Sequence, residues 1–446
     1  MPVVFGIGAA GEPSGAGGDR AGAGAGPRAP MSPDCHYAGT AGSVILGGVL
    51  PQGLTATCRP AAAVREEDLQ QWKLLERFRA ALAEQVHRAG GLTGTWADPR
   101  RQTQLADYLS LYLFGLFNPV VRTMRGLCEA SALPRVQAEV CSRPVSLGSF
   151  SEAQAVVDAE LLRALFAELA AASRPDASRL AGLTGRELVV DSTVWQVLPR
   201  MAWAFWRAHS SSPACGPDHA VRLHVHFDLA RLQVRRAELT PAKVCEREAW
   251  ERMARSGELY IGDRYYSYDY SKLGRLQQRE VDFIVRLRLD TQWVVEQEEP
   301  LTAADAAAGA IWAGTVRLGK AGEGPRVRVI RLLGQEENIL LATTLAAAVA
   351  APELLALLYR HRWQVELFFR WLKCILGCRH WLAESPRGVA LQVYLALIAA
   401  QLLVLYGGQR PNRRQMEAIQ FYLMGWCDER QLLAQLQRGA PKAKKA

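Results

Sequence analysis

Residues 359–373 read YRHRWQVELFFRWLK, and no other stretch of the chain limits its fold and chemistry so tightly. On a helix, Tyr359, Arg362, Glu366 and Lys373 fall within an arc of roughly 60°. A phenol, a guanidinium, a carboxylate and an ammonium thus share one narrow stripe. Val365, Phe368, Trp371, Leu372 and Ile375 occupy the other side, as the apolar face of a packed helix should. A carboxylate flanked by cations on one face suits a site that holds a metal ion and a phosphate chain together.

Two further carboxylates stand where buried strands run out. Glu187-Leu-Val-Val-Asp191 reads as a short apolar strand ending in Asp191, and Leu259-Tyr-Ile-Gly-Asp263 reads the same way. An Asp after an apolar run is alone a weak signal, because strand ends often carry Asp as a turn or cap residue. In the order Asp191, Asp263, Glu366 the three make a constellation. Together with the spacing Y-x2-R-x3-E-x6-K, it resembles bacterial DDE transposases of the insertion-sequence-four family. The resemblance spans residues 100–410 and is specific at these three motifs.

The resemblance implies an α/β fold: a ribonuclease-H-like core interrupted by a β-rich insertion, with an all-α N-terminal domain and C-terminal helices. It implies two Mg²⁺ or Mn²⁺ ions, with Asp191 bridging both and Asp263 and Glu366 holding one each. Oxygen ligands suit those ions. Tyr359, Arg362 and Lys373 would grip DNA phosphates near the cut. The implied partners are double-stranded DNA, both transposon-end inverted repeats and target DNA, and a second copy of the chain in the DNA complex. The implied reaction is cleavage at the transposon ends followed by strand transfer, in some relatives through a hairpin. The implied location is the cytoplasm of a prokaryote, at the nucleoid. Two alternatives remain at this level: a ribonuclease-H-like nuclease without strand transfer, and a domesticated or inactive derivative that only binds DNA.

Composition is consistent with a polyanionic partner. Lys and Arg total 53 against 44 Asp and Glu, a formal charge of +9. The nine cysteines are scattered and no secretory signal precedes them, which predicts reduced cytosolic thiols. Cys374, Cys378 and His380 have no second ligand pair nearby, so a zinc site is not expected. His224 and His226 share one strand face and are expected to line the sheet rather than to bind metal. Residues 389–406 are apolar enough to raise a membrane question. Gln392 and Gln401 interrupt the run, and a buried core helix is the expectation.

Along the chain, residues 1–60 are expected to be a disordered Gly/Ala/Pro-rich leader. Helices are predicted at 66–89, 101–117, 119–131, 134–140 and 151–174, with Ser149 or Ser151 as a cap. They form an all-α domain over 61–180 with a possible role at the DNA end, where Arg100, Arg101, Arg122, Arg125 and Arg135 suit phosphate. Strands at 187–195, 221–229, 231–239, 258–262 and 282–289, with helices at 243–255 and 267–279, make the first part of the core, 181–289. The alternation of Val221, Leu223, Val225, Phe227 and Leu229 with Arg222, His224, His226 and Asp228 marks a strand with one buried face. The insertion, 290–345, carries strands at 291–297, 310–318, 325–333 and 338–344. In it, Trp293 and Trp312 are expected in the core, with base stacking as the alternative. The second part of the core, 346–408, holds one long helix at 352–376 and another at 386–406. Residues 409–446 supply C-terminal helices and a basic tail.

Overall fold

The computed structural model describes residues 73–118, 120–173, 186–206, 218–378, 380–407 and 410–438. The expected leader at 1–60 and the basic end of the tail lie outside the described residues.

Six helices come first: α1 (Lys73–Arg88), α2 (Leu105–Phe117), α3 (Met124–Ser131), α4 (Pro134–Glu139), α5 (Leu147–Val156) and α6 (Ala159–Ala172). Tyr108, Tyr112, Phe117, Phe150 and Phe166 are fully buried among them. The single helix expected at 151–174 is two. The backbone is extended at Val157 and Asp158, and the Asp158 carboxylate accepts the Glu160 amide to start α6. The cap of α5 is Ser146, not Ser149 or Ser151. Its extended backbone precedes Leu147, and its hydroxyl accepts the Ser149 amide at 3.1 Å.

The sheet follows. Its strands are β1 (Glu187–Gln196), β2 (Phe205–Trp206), β3 (Asp218–Asp228), β4 (Gln233–Pro241), β5 (Leu259–Gly262) and β6 (Asp282–Leu287). Helices α7 (Glu246–Met253) and α8 (Tyr270–Gln278) lead into β5 and β6. β3 runs antiparallel to β1 and β4, while β1, β5 and β6 are mutually parallel neighbours. The order β4-β3-β1-β5-β6, with three antiparallel strands and then two parallel ones each reached through a helix, is the ribonuclease-H-like core.

Next come β7 (Trp293–Glu298), α9 (Ala303–Ala307), β8 (Ala310–Leu318), β9 (Arg326–Leu332) and β10 (Ile339–Thr343). These strands do not stand apart as a separate unit. β10 pairs antiparallel with β6, so the sheet continues β6-β10-β9-β8-β7. The described residues form one ten-stranded sheet.

Period-2 alternation divides the strands between two cores. Val189 on β1, Ile261 on β5 and Ile284 on β6 join the core shared with the N-terminal helices. Leu188, Val190, Tyr260, Phe283 and Val285 join the opposite core under α7 and α8. The first face is covered by α10 (Pro352–His361), α11 (Gln364–Cys374) and α12 (Pro386–Gly407), with α13 (Arg413–Leu423) and α14 (Glu429–Arg438) following. The one helix expected at 352–376 is broken into α10 and α11. At the junction the Arg362 amide reaches only back to Tyr359 O, and Val365 to Arg362 O, so the helix tightens for a turn. α12 is long and apolar enough to cross a membrane, but 83% of it is buried, packed against α1, α2, α5, α6 and β4. It is a core helix.

Candidate active site

Asp191 does not end its strand; β1 continues to Gln196. What ends there is the pairing with β5, which runs only from Glu187↔Leu259 to Val189↔Ile261. Two residues further along the same register, Asp191 stands beside Asp263. Parity puts both on the face of Val189 and Ile261, toward α10 and α11. Two aspartates 72 positions apart in sequence thus come together because β1 and β5 are parallel neighbours, a pairing no local pattern announces.

Each Asp is fixed by backbone. The Ser192 amide donates to Asp191 Oδ1 at 2.7 Å. Asp263 caps a 3₁₀ turn, Arg264–Ser267, and accepts the Tyr265 amide at 2.8 Å. Gly262 before it leaves little room for a side chain. A Cβ there would lie 3.1 Å from the Tyr266 side chain, which is buried against Trp250.

Glu366 enters from above, on the first turn of α11. That helix is anchored by the buried Val365, Phe368, Phe369, Trp371 and Leu372, each contributing about 1.5–3 kcal/mol by burial. Phe368 meets Phe227 of β3, and the Trp371 indole donates to Pro411 O at 2.6 Å. The charged stripe therefore faces the strand ends. Arg362 lies between the carboxylates: its guanidinium is 2.7 Å from Glu366 Oε1 and 3.5 Å from Asp191 Oδ2.

The electrostatics follow. Asp191 is 17% exposed, and burial pushes its carboxyl up to about 7; Arg362 and the Ser192 amide oppose this, while Asp263 and Glu366 add to it. Burial raises the phenol of Tyr359, which lies 6.0 Å from the Arg362 guanidinium and also interacts with Arg286 and Asp263. Lys373 sits further along β1, three to four residues past Asp191. Its ammonium donates to Val194 O of β1 at 2.7 Å and lies 4.9 Å over the Trp195 ring. Of the four stripe residues, the structure brings Tyr359, Arg362 and Glu366 to the aspartates and sets Lys373 against the far half of β1.

Three neighbours were not singled out from sequence. Arg286 shares the face of Ile284 on β6 and pairs with Glu337. On the opposite face, Arg222 pairs with Glu246 and reaches Ser192 Oγ at 3.4 Å. Tyr266 donates to Glu246 Oε2 at 3.4 Å, its phenol pushed up by burial and by Asp191 and Asp263. For Arg286 and Arg222 the sequence signal is parity within their strands; Tyr266 lies in the 3₁₀ turn after Asp263 and has no such signal.

Among the described residues no three His, Cys, Asp or Glu side chains are drawn together tightly enough to make a ready metal cage. The donor set still fits a hard divalent cation. Three mutually repelling carboxylates, one of them reluctant to ionise, are bridged by a side-chain cation. His224 and His226 do not contribute. Both are buried, His224 bonded to Thr240 Oγ1 at 3.0 Å and His226 receiving Arg236 Nε at 3.3 Å. Desolvation pushes His224 down to about 3 and His226 well below its usual range. Cys374 is exposed and Cys378 buried, forming no ligand group with His380. Trp293 and Trp312 stack on each other at 6.2 Å and pack against the second core.

Residues 183–402 match the family model described as Transposase DDE domain. A Sinorhizobium fredii protein named "Putative transposase y4zB" is 27% identical over 344 residues, covering 72% of this chain and 92% of its own. The cryo-EM structure of the piggyBac transposase synaptic complex with hairpin DNA aligns over 85% of this chain and 82% of that one, with 10% identity and a TM-score of 0.38.

Proposed function

We propose that this chain, whose residues 183–402 match the transposase DDE domain model, is a transposase that cleaves DNA at the terminal inverted repeats of its own element and joins the freed ends to target DNA. The observation that carries this reading is the meeting of Asp191, Asp263 and Glu366 on one face of the sheet, from three distant segments. Membership of the insertion-sequence-four group rests on the spacing of Tyr359, Arg362, Glu366 and Lys373.

Asp191, Asp263 and Glu366 would hold Mg²⁺ or Mn²⁺. Divalent ions in such a site activate an oxygen nucleophile and stabilise the leaving oxygen of a phosphodiester. The chain's own residues do the rest. Burial of Asp191 makes its carboxylate a poorly solvated anion that gains by any added positive charge. Tyr359 and Arg362, at the top of the carboxylate cluster, present a phenol and a guanidinium to phosphate oxygens of the strand being cut. The tight turn between α10 and α11 fixes their angle to Glu366. Lys373 meets the DNA further along, beside Val194.

The test uses DNA fragments carrying the sequences that flank the gene, incubated with protein in Mg²⁺. Cleavage is expected at the inverted repeats, and Asp191→Ala, Asp263→Ala or Glu366→Ala should each abolish it while end binding persists. Near-normal cutting by any one of the three variants overturns the assignment.

A further inference from the structure

We infer that Arg362 is shared between two ligands: it holds Asp191 and Glu366 together when no divalent ion is bound, and metal binding transfers its guanidinium to a DNA phosphate. The inference deepens the transposase reading and rests on it.

The geometry makes the two states exclusive. Arg362 touches Glu366 at 2.7 Å and Asp191 at 3.5 Å. A dication bound by those same oxygens would stand within a few ångströms of the guanidinium. Like charges at that range repel strongly in a site as little hydrated as this one. One of the two cations must move.

The local structure gives Arg362 somewhere to go. Its backbone lies in the tightened turn between α10 and α11, where the regular helical bonds lapse. Its side chain is 17% exposed, so it reaches the solvent edge of the cluster, where the ring of Tyr359 stands 6.0 Å from the guanidinium. Arg286, on the next face-sharing strand, interacts with Tyr359 and adds a second cation on that side. A phosphate arriving there meets a planar guanidinium that can donate in pairs.

The consequence is a coupling between metal and DNA. Without DNA, Arg362 competes with the metal for the carboxylates. With DNA, the phosphate stabilises the displaced guanidinium, and metal binds more readily. By linkage, metal must then favour DNA by the same factor. The site would assemble fully only when both are present.

The test is an Mn²⁺ titration of the full chain by electron paramagnetic resonance, with wild type and Arg362→Gln, alone and with a nicked DNA duplex as probe. Alone, Arg362→Gln should bind Mn²⁺ about fivefold or more tightly than wild type, within the usual range of a coupling between sites. The nicked duplex should tighten Mn²⁺ binding to wild type and leave the variant's almost unchanged. Arg362→Lys, which keeps the charge but not the fork, should resemble wild type in the DNA-free titration. A folded Arg362→Gln that binds Mn²⁺ equally or more weakly overturns the inference. Should that variant not fold, the arginine Nε–H resonances of wild type decide it: a protected guanidinium signal must be released by Mg²⁺, and one that Mg²⁺ leaves untouched refutes the exchange. Metal-dependent end cleavage with no such gain or release sinks this inference alone. Absence of Mn²⁺ binding by every form, with and without duplex, sinks the transposase reading as well.

Discussion

Replacing Asp191 by Asn should make the metal-free protein more stable while destroying its activity. In the fold the Asp191 carboxyl titrates near 7, against an ordinary 3.8. A group whose folded pKa is raised contributes most stability below its unfolded pKa and loses it as pH rises through the folded one. For Asp191 that window runs from about 4 to 7. At about 1.36 kcal/mol per pH unit, ionising it in place costs the fold about 4 kcal/mol by pH 8. Asn keeps the shape and the acceptor for the Ser192 amide at 2.7 Å. The 3.5 Å ion pair with Arg362 already lowers the Asp191 carboxyl and is included in that figure. The net gain at pH 8 is then about 4 kcal/mol, or several degrees in Tm. At pH 5, inside that window, the gain should fall to about 2 kcal/mol, and it should vanish only near pH 3. The assay is thermal unfolding by circular dichroism in EDTA at pH 5 and pH 8, alongside cleavage in Mg²⁺. Destabilisation of Asp191→Asn at pH 8, or an equal effect at both pH values, would refute the reasoning.

The remaining predictions are shorter. His224 is pushed down to about 3, so its neutral form contributes stability above pH 6.5 that is lost on acidification; His224→Asn should weaken the acid lability of the protein by about 1.4 kcal/mol per pH unit between 6 and 4, read from urea midpoints. Lys373→Met should cost about 1 kcal/mol through its bond to Val194 O and lower the salt slope of DNA binding by about one unit; an unchanged slope would remove it from the phosphate contacts. Replacing residues 293–343 with a Gly/Ser linker should unfold the chain, since it removes Val316, Leu318, Val327, Val329, Leu340 and Ala342 from the second core and bares the edge of β6. A linker variant with native circular dichroism and a sharp melt would contradict that. Gly262→Ala should lower stability by about 1–3 kcal/mol by crowding Tyr266, measured by chemical denaturation.

The strands of the core were legible because alternation and apolar runs report burial directly. The stripe on residues 359–373 was legible because four chemical groups recur at helical spacing. What escaped was set by long-range packing. Asp191 was read as a strand end, yet the strand ends at Gln196; only its partner β5 stops early, and pairing between strands 72 residues apart leaves no local mark. The break between α10 and α11 carries no Gly or Pro. His361, Arg362 and Trp363 are ordinary helix residues, tightened by the carboxylates and cores on either side. The insertion was readable as β-structure, but its attachment to β6 through β10 depends on an edge that alternation does not reveal. The site was therefore visible as a list of residues, and its geometry was not.

The burial of α12 bears on how the chain comes off the ribosome. Helices α1, α2, α5 and α6 are made first, yet the surface they bury lies on a helix that begins at Pro386. Tyr112 of α2 waits for Gln392 to bond its phenol. Through most of synthesis, at about 5–20 residues per second, that early bundle has no partner for its apolar side. The three clustered carboxylates are brought together late for the same reason, since Glu366 docks on strands completed long before it. A chain cut short by a frameshift or stop before residue 386 would leave an open, sticky helical fragment for the quality-control proteases, not a stable DNA-binding piece. Active protein should accumulate only from complete messages.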